Sequence, residues 1–276
     1  MSKTCVCAGL LLAVLPWGKV AGFTGAVEVI EYDPGALSGG SYMNPQAALG
    51  PPERFTGEGV YPGVVSPFNP PFLPSEIVSI GEGGHLTLRL DQPATDDASH
   101  PYGVDLLIFG NAGFIDVDYP QGTTGNPAAL FGADGGEVEV SQDGLTFHTV
   151  IGALADGLYP TLGYLDSGPY DGQPGQILSD FTRPVNPALR LNGLSGLTYT
   201  QLVAAYDGSG GGAPLDLAQA GLAEAQFVRI SVPDDGNPNV NAPPIEIDAV
   251  TAVPEPACAG ALLLGAWIAL RRTQRD

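Results

Sequence analysis

Residues 103–111 read Gly-Val-Asp-Leu-Leu-Ile-Phe-Gly-Asn and are the most hydrophobic stretch between the two ends of the chain. Their large apolar residues follow one another without alternation, as in a strand that is buried on both faces. Asp105 lies inside this stretch, and a buried carboxylate is costly unless another group partners it. The stretch therefore predicts a central β-strand in which Asp105 has a partner.

Shorter segments on both sides predict further strands. In residues 85–90, leucines alternate with other residues and would share one face of a strand. Asp143-Gly144 predicts a tight hairpin between strands at residues 136–141 and 145–150. The remaining predicted strands comprise residues 27–32, 77–80, 227–232 and 245–250.

Glycine and proline are frequent, with 39 and 26 copies, and this composition favours strands and loops over helices. One short helix is predicted from Asp216 to Ala225, with Asp216 as its N-cap. Residues 151–214 are irregular, and so long a loop is expected to pack on itself or to carry function. The predicted fold is all-β: an antiparallel two-sheet β-sandwich (jelly roll) with long loops, this short helix and a C-terminal hydrophobic helix.

The N-terminal residues 1–22 predict a secretory signal peptide. Lys3 precedes an apolar segment from Val6 to Leu15, and small residues follow it. This order is typical of a signal peptide rather than of a membrane-spanning helix. We expect signal peptidase to cut before Phe23, with the small residues Thr24 and Ala26 as a second choice. The β-sandwich domain then comprises residues 23–252.

The last 24 residues, 253–276, differ from the rest of the chain. Val253-Pro254-Glu255-Pro256 precede an apolar run at residues 257–270, and Arg271 and Arg272 follow it. By length the run suits a buried core helix, because a full membrane crossing needs about 20 residues. It has no polar face, however, and the arginines after it favour the cytoplasmic side of a membrane. The pattern therefore favours a segment that holds the chain in a membrane.

The order of these features resembles the PEP-CTERM sorting tail of Gram-negative bacteria. The resemblance implies that an exosortase-type processing enzyme cuts near the Pro-Glu-Pro motif. It also implies a transient membrane hold, followed by release to the cell envelope or the medium. The residues that carry the motif are Val253, Pro254, Glu255, Pro256, Arg271 and Arg272.

Charge and cysteine content restrict the functions that suit this chain. Its net charge is −20, and residues 23–256 hold 29 of the 30 acidic but only 5 of the 10 basic residues, which gives that part −24. Such a field repels nucleic acid and attracts divalent cations. The three cysteines, Cys5, Cys7 and Cys258, all lie in the two segments expected to be removed. No disulfide is therefore expected in the mature protein.

The segment before the last predicted strand suggests a calcium site. Asp235, Asn237 and Asn239 occupy alternate positions, and Glu246 is twelfth from Asp235, as in a twelve-residue calcium loop. Val240 replaces the turning glycine and several prolines exclude flanking helices, so an Asn/Pro turn between two strands is the alternative. Glu246 and Asp248 would share one face of their strand and bind one ion, with Asp105 nearby if the strands are adjacent. Asp116, Asp118 and Asp134 form a weaker acidic group, for which solvated loop acids are the preferred interpretation.

Catalytic motifs are missing from the sequence, which contains no Gly-x-Ser-x-Gly, His-Glu-x-x-His or phosphate-loop pattern. The protein is therefore not expected to be an enzyme, and a glycoside-active enzyme is only the second alternative. Tyrosines in the predicted loops suit either sugar stacking or anchoring of those loops. The tyrosines concerned are Tyr32, Tyr42, Tyr61, Tyr102, Tyr119, Tyr159, Tyr164 and Tyr170.

The body of the chain also resembles a group of bacterial cell-surface proteins with a galactose-binding-like, or discoidin-like, jelly-roll domain. The resemblance implies an exported β-sandwich and does not imply a ligand. We therefore expect a structural or adhesive protein of the extracellular matrix that calcium stabilises. A carbohydrate-binding module for exopolysaccharide is the alternative. The segments that carry the resemblance are residues 44–50, 78–84, 105–111, 139–144, 216–218, 227–230 and 246–250.

Overall fold

The computed structural model describes residues 24–36, 40, 42–57, 63–234, 236 and 243–255. Within them the chain forms thirteen strands and two short α-helices. The strands are β1 (Ala26–Asp33), β2 (Phe55–Thr56), β3 (Gly63–Val64), β4 (Val78–Ile80), β5 (His85–Thr95), β6 (Leu106–Gly110), β7 (Gly113–Phe114), β8 (Leu130–Phe131), β9 (Glu137–Ser141), β10 (His148–Thr149), β11 (Ala213–Leu215), β12 (Glu224–Ser231) and β13 (Ile245–Ala252). The helices are α1 (Arg190–Gly193) and α2 (Tyr199–Tyr206), and 3-10 turns occupy Pro45–Ala48, Pro101–Gly103 and Leu217–Ala220.

Two antiparallel sheets contain most of these strands. The larger has the order β1-β5-β12-β9-β10, and the smaller has the order β11-β6-β13-β4. Buried side chains from both sheets form one apolar core. The predicted all-β class and the sandwich-like packing of two sheets are therefore confirmed. The predicted C-terminal helix at residues 257–270 lies outside the described residues.

The alternation in β5 positions the core as expected. Leu86, Leu88 and Leu90 are fully buried on one face, whereas His85 and Arg89 remain partly exposed. The predicted pairing is present, because Val140 of β9 pairs with His148 of β10. The tight Asp-Gly turn is not, because residues 142–147 connect the two strands and β10 is only two residues long.

Strand β6 is buried on both faces, as its sequence predicts. Leu106 and Ile108 join the core between the sheets. Leu107 and Phe109 pack on the other side of the sheet, against Phe181. The segment that contains Phe181 therefore covers the outer face of the smaller sheet.

Residues 151–214 are more ordered than a loop prediction suggests. They supply most of a second apolar cluster, in which Leu162, Leu202 and Tyr206 are fully buried. The helix α2 lies in this segment, and the N–H of Thr198 donates to Gln201 Oε1 at its start, 3.0 Å away. The segment thus packs on itself, one of the two alternatives that its length left open.

The short helix predicted from Asp216 to Ala225 is wrong in extent and type. Asp216 does cap the N-terminus, since its Oδ1 accepts the N–H of Ala218 at 2.8 Å. Only a 3-10 turn follows, because Gly221 takes a left-handed conformation with φ of 69° and Glu224 already begins β12. The two α-helices lie upstream, where no helix was predicted.

The residues just before β1 contact the last residues of β13. Gly25 forms a bridge with Thr251, and the N–H of Ala252 donates to the carbonyl of Thr24 at 2.9 Å. This contact joins a strand of the larger sheet to a strand of the smaller one. No helix in the described part of the chain is long and apolar enough to cross a membrane.

Substitution of Leu202 by alanine should test whether the segment 151–214 is part of the folded core. The side chain is fully buried, so we expect a loss of about 2–5 kcal/mol in the free energy of unfolding. Leu145→Ala is the matched control, because Leu145 is 86% exposed and its loss should change stability by less than about 0.5 kcal/mol. Urea unfolding measures both, and equal effects would contradict a packed segment.

Candidate functional site

The carboxylates predicted to bind calcium do not share one place in the structure. Asp235, Asn237 and Asn239 lie outside the described residues. Asp105 and Asp248 have separate sets of hydrogen-bond partners, and Glu246 has a third. The expected grouping of these three carboxylates around one ion is therefore not what the structure shows.

Asp105 is held by its own neighbours at the start of β6. Its Oδ1 lies 2.7 Å from His100 Nδ1, and its Oδ2 accepts the N–H of Leu217 at 2.8 Å. Burial raises the pKa of Asp105, while these hydrogen bonds oppose the increase. The expectation that this buried acid needs a partner is confirmed, and its contacts account for it as a structural residue.

Asp248 is separated from Glu246 by an irregularity in β13. The pairing of β13 with β6 shifts register between Ile247 and Ala249, so Asp248 is the extra residue of a bulge. The bulge interrupts the alternation on which the shared-face prediction depends. Asp248 is buried and accepts the N–H of Glu53 at 3.0 Å. Burial raises the pKa of Asp248 well above its ordinary value.

Glu246 instead joins two acids from loops of the larger sheet. Asp134 lies between β8 and β9, and Asp156 follows β10. One carboxylate oxygen from each of these three residues lies within 4.8 Å of the other two. Two backbone hydrogen bonds between Gly135 and Asp156, of 2.8 and 3.1 Å, hold the two loops together. We call Asp134, Asp156 and Glu246 the acidic triad.

Asp156 is the most buried member of the acidic triad. The residue is 1% exposed, and its Oδ1 has no hydrogen-bond partner. Its Oδ2 lies 3.5 Å from the N–H nitrogen of Glu246, a weak contact at best. Strand β6 needs a glycine at position 110, next to Asp156. A Cβ on Gly110 would lie 2.5 Å from Asp156 Oδ1 and 2.6 Å from the carbonyl oxygen of Glu246.

Burial raises the pKa of all three acids, and neighbouring charges add to the shift at Asp156 and Glu246. Burial raises the pKa of Asp156 to about 8, and the charges of Glu246 and Asp134 add to the increase while backbone hydrogen bonds oppose it. Burial and the charge of Asp134 also raise the pKa of Glu246, although Ser79 Oγ donates to its Oε1 at 3.0 Å. Among the described residues, no arginine forms an ion pair with any of the three.

Sequence reasoning found only part of the acidic triad. Asp156 lies in a segment without periodicity, where one acid among many has no distinguishing signal. Asp134 was grouped with Asp116 and Asp118, but Asp116 has a different role. Its carboxylate accepts three backbone N–H groups and the hydroxyl of Tyr170, and these bonds lower its pKa although burial opposes them.

The described part of the sorting motif leaves the body at the end of β13. Val253 is buried, and its N–H donates to the carbonyl of Asp105 at 2.9 Å. Pro254 and Glu255 are exposed, and Glu255 contacts Thr95. A hydrogen bond with Asp97 raises the pKa of Glu255. Pro256, Arg271 and Arg272 lie outside the described residues.

A shallow groove lies on the outer face of the larger sheet, with a volume of about 400 Å³. The guanidinium of Arg229 stacks 3.8 Å from the centre of the Phe147 ring, and its Nε donates to Thr87 Oγ1 at 3.1 Å. The groove therefore presents polar groups of both charges, and Phe147 contacts one of them, Arg229, without lining the groove itself. Its charged lining comprises Glu31, His85, Glu139, Arg229 and Asp234.

Several tyrosines of the predicted loops act as anchors. The hydroxyls of Tyr32, Tyr42 and Tyr159 donate to backbone carbonyls at 2.7–3.1 Å. Tyr119 differs, because it is 74% exposed and makes an edge-on contact with Tyr170.

Comparison of the chain with protein-family models and with curated proteins found no match.

The raised pKa of Asp156 predicts how the metal-free protein responds to pH. The unfolded chain loses this proton near pH 3.8, whereas the folded protein loses it near pH 8. The resulting stability is fully present below the lower value and is lost as pH rises through the higher one. As the pH is raised from about 5 to 8.5, the free energy of unfolding should therefore decrease less in Asp156→Asn than in the original chain.

The measurement is urea unfolding in a chelator across this pH range. Asp118→Asn serves as the control, because Asp118 is an exposed acid of the same kind outside the acidic triad. It should follow the pH dependence of the original chain. Identical pH dependence in all three proteins would contradict the shifted pKa of Asp156.

Proposed function

We propose that this is an exported β-sandwich protein of the bacterial cell envelope or extracellular matrix, with a structural or adhesive role. Signal peptidase removes residues 1–22, and an exosortase-type enzyme processes the tail at residues 253–276. The observation that carries the proposal is the meeting of Thr24 with Ala252, next to both expected cleavage points. Loss of both end segments would leave every described strand intact.

The surface of the body supports an adhesive rather than a nucleic-acid-binding role. A net charge of −24 on residues 23–256 repels nucleic acid and suits association through divalent cations. Large apolar side chains are exposed around β10, the edge strand of the larger sheet, where Leu145 is 86% and Ile151 is 73% exposed. An unpaired strand edge with apolar neighbours is a surface that other chains can pair with or pack against.

The export proposal predicts the intact mass of the protein recovered from cells that carry an exosortase-type enzyme. We expect a species that begins near Phe23 and ends near the Pro-Glu-Pro motif. Glu255→Ala should retain residues 257–276 in the membrane fraction, because the motif is broken. Glu224→Ala, a change at another exposed glutamate, should be processed normally. A full-length C-terminus in the original chain would overturn the sorting proposal and indicate a simple tail anchor.

A carbohydrate-binding module for exopolysaccharide is the second candidate, and the groove beside Arg229 favours it. Sugar sites combine an aromatic face with a few polar groups that fix orientation. The groove supplies the polar part through Arg229 and the carboxylates of Glu31 and Glu139, and the ring of Phe147 stacks under the Arg229 guanidinium beside it. The exposed ring of Tyr119 offers a second stacking surface elsewhere on the body.

This second candidate predicts that Arg229→Ala weakens retention of the protein on exopolysaccharide by about tenfold or more, which corresponds to about 1.4 kcal/mol. Arg89→Ala is the matched control, because Arg89 lies on the neighbouring strand β5 and pairs with Glu28 outside the groove. Affinity electrophoresis in gels that contain the polysaccharide measures both. Equal effects of the two changes, or no retention of the original chain, would exclude a sugar site in the groove.

A further inference from the structure

We infer that Asp134, Asp156 and Glu246 bind one divalent cation, and that Ca²⁺ is the ion that fits them. The inference deepens the calcium-stabilised character expected of the proposed envelope protein, and it names a ligand set that the sequence pattern did not. It can fail without affecting the export proposal, because the processed mass does not depend on an ion.

The first argument is the unpartnered oxygen of Asp156. Buried polar atoms in native proteins almost always have a hydrogen-bond partner, so each exception needs an explanation. Asp156 is 1% exposed, and its Oδ1 has none. One oxygen of the Asp156 carboxylate lies within 4.8 Å of an oxygen of Asp134 and of an oxygen of Glu246. A cation placed among the three acids would bind the buried carboxylate of Asp156, one of whose oxygens has no hydrogen-bond partner in the protein.

The second argument is the absence of any other compensating charge. Three carboxylates in such proximity repel one another, and burial strengthens the repulsion. Within the described ranges, arginines pair with Glu28, Glu31 and Asp207, but none pairs with the acidic triad. The backbone N–H of Glu246, 3.5 Å from Asp156, and the backbone N–H of Ala112 are poor substitutes for an opposite charge. A divalent cation is the species that would neutralise this cluster.

The third argument is the close packing around the cluster. Gly110 allows the carboxylate of Asp156 to lie against the backbone of β6, where a Cβ would collide with it. Asn111 follows directly, and its Oδ1 is a second buried oxygen without a partner. This oxygen faces the loop of Asp134, because a Cβ on Gly132 would lie 3.3 Å from it. Two unpaired buried oxygens of the described residues, those of Asp156 and Asn111, therefore lie at the end of β6 near these loops.

The ligand types indicate calcium. All three side chains offer oxygen, and the acidic triad contains no histidine or cysteine, so zinc and copper are poorly matched. The ligands come from two loops and one strand, which gives a site of adjustable geometry. Ca²⁺ accepts six to eight oxygens in variable arrangements, whereas Mg²⁺ requires near-ideal octahedral geometry.

A cation at this position would join the two sheets. The loops of Asp134 and Asp156 lead into and out of the β9–β10 hairpin of the larger sheet, whereas Glu246 lies on β13 of the smaller one. The three cysteines of the chain all lie outside residues 23–256. The cation would thus act as a cross-link between the sheets, and binding to the folded state alone would stabilise it.

The test uses the full chain, purified in mild detergent, stripped with EDTA and dialysed into 150 mM salt. Titration calorimetry with CaCl₂ should show one site that is stronger than diffuse binding to the acidic surface. At Ca²⁺ about 100-fold above Kd, the Tm should rise by about 5–10 °C. Asp156→Asn and Glu246→Gln should each weaken this site by about tenfold or more.

The controls separate a lost ligand from a lost fold. Asp118→Asn removes the same charge at an exposed position outside the acidic triad, and it should bind Ca²⁺ as the original chain does. In EDTA, Asp156→Asn should unfold at a Tm equal to or above that of the original chain, because the cost of burying this acid without a cation is gone. The original chain should be the more stable of the two only when Ca²⁺ is present.

Three outcomes would overturn the inference. One is an original chain whose Tm does not respond to Ca²⁺. Another is an equal Ca²⁺ response in Asp156→Asn and Asp118→Asn, which would indicate diffuse surface binding. The third is an equal Tm increase with MgCl₂ at the same concentration, which would overturn the calcium assignment.

Discussion

The burial of β6 on both faces is the constraint on which the remaining structure depends. One face of this strand adds Leu106 and Ile108 to the core between the sheets. Leu107 and Phe109 lie on the opposite face, which is the outer face of the smaller sheet. An apolar outer face on the smaller sheet has to be covered. The irregular segment that contains Phe181 covers it, and Arg54 reinforces that contact by stacking 3.8 Å from the Phe181 ring and donating to carbonyls of Gly163 and Ser179. The long segment 151–214 is thus required by the strand that it covers.

The acidic triad follows from the same arrangement. The segment that returns from β10 must approach β6 and β13 closely, and Gly110 provides the space for it. Asp156 occupies this space as a buried carboxylate. It lies close to Glu246 of the smaller sheet and to Asp134 from a loop of the larger one. Asp134 is exposed to water, but the buried Asp156 has to be either protonated or neutralised. The raised pKa of Asp156 shows the first solution, and a bound cation would be the second.

The parts of the fold with a strong local period were predictable from sequence. The alternating leucines of β5 and the continuous apolar residues of β6 occur where they were expected, because each pattern depends on neighbours a few residues away. The pairing of β9 with β10 was also expected, but its connection is longer than the tight Asp-Gly turn that was predicted. The helix α2 was not, since its apolar residues are mixed with polar ones and its stability comes from the cluster around Leu202 and Tyr206. The prediction that Glu246 and Asp248 share one face of β13 was also wrong. A bulge at Asp248 shifts the alternation, and no pattern in the sequence indicates this bulge.

The sequence by itself determined the all-β class, the central strand, the need of Asp105 for a partner and the acidic character of the body. Each of these depends on composition or on contacts close along the chain. Only the tertiary structure decided which acids meet, because Asp134, Asp156 and Glu246 are distant in sequence and share a place only through the packing of two loops against β13. It likewise decided that the first and last strands meet at Thr24 and Ala252. Contacts between residues that are distant in sequence depend on how the two sheets and their loops pack together. No pattern of neighbouring residues determines that packing.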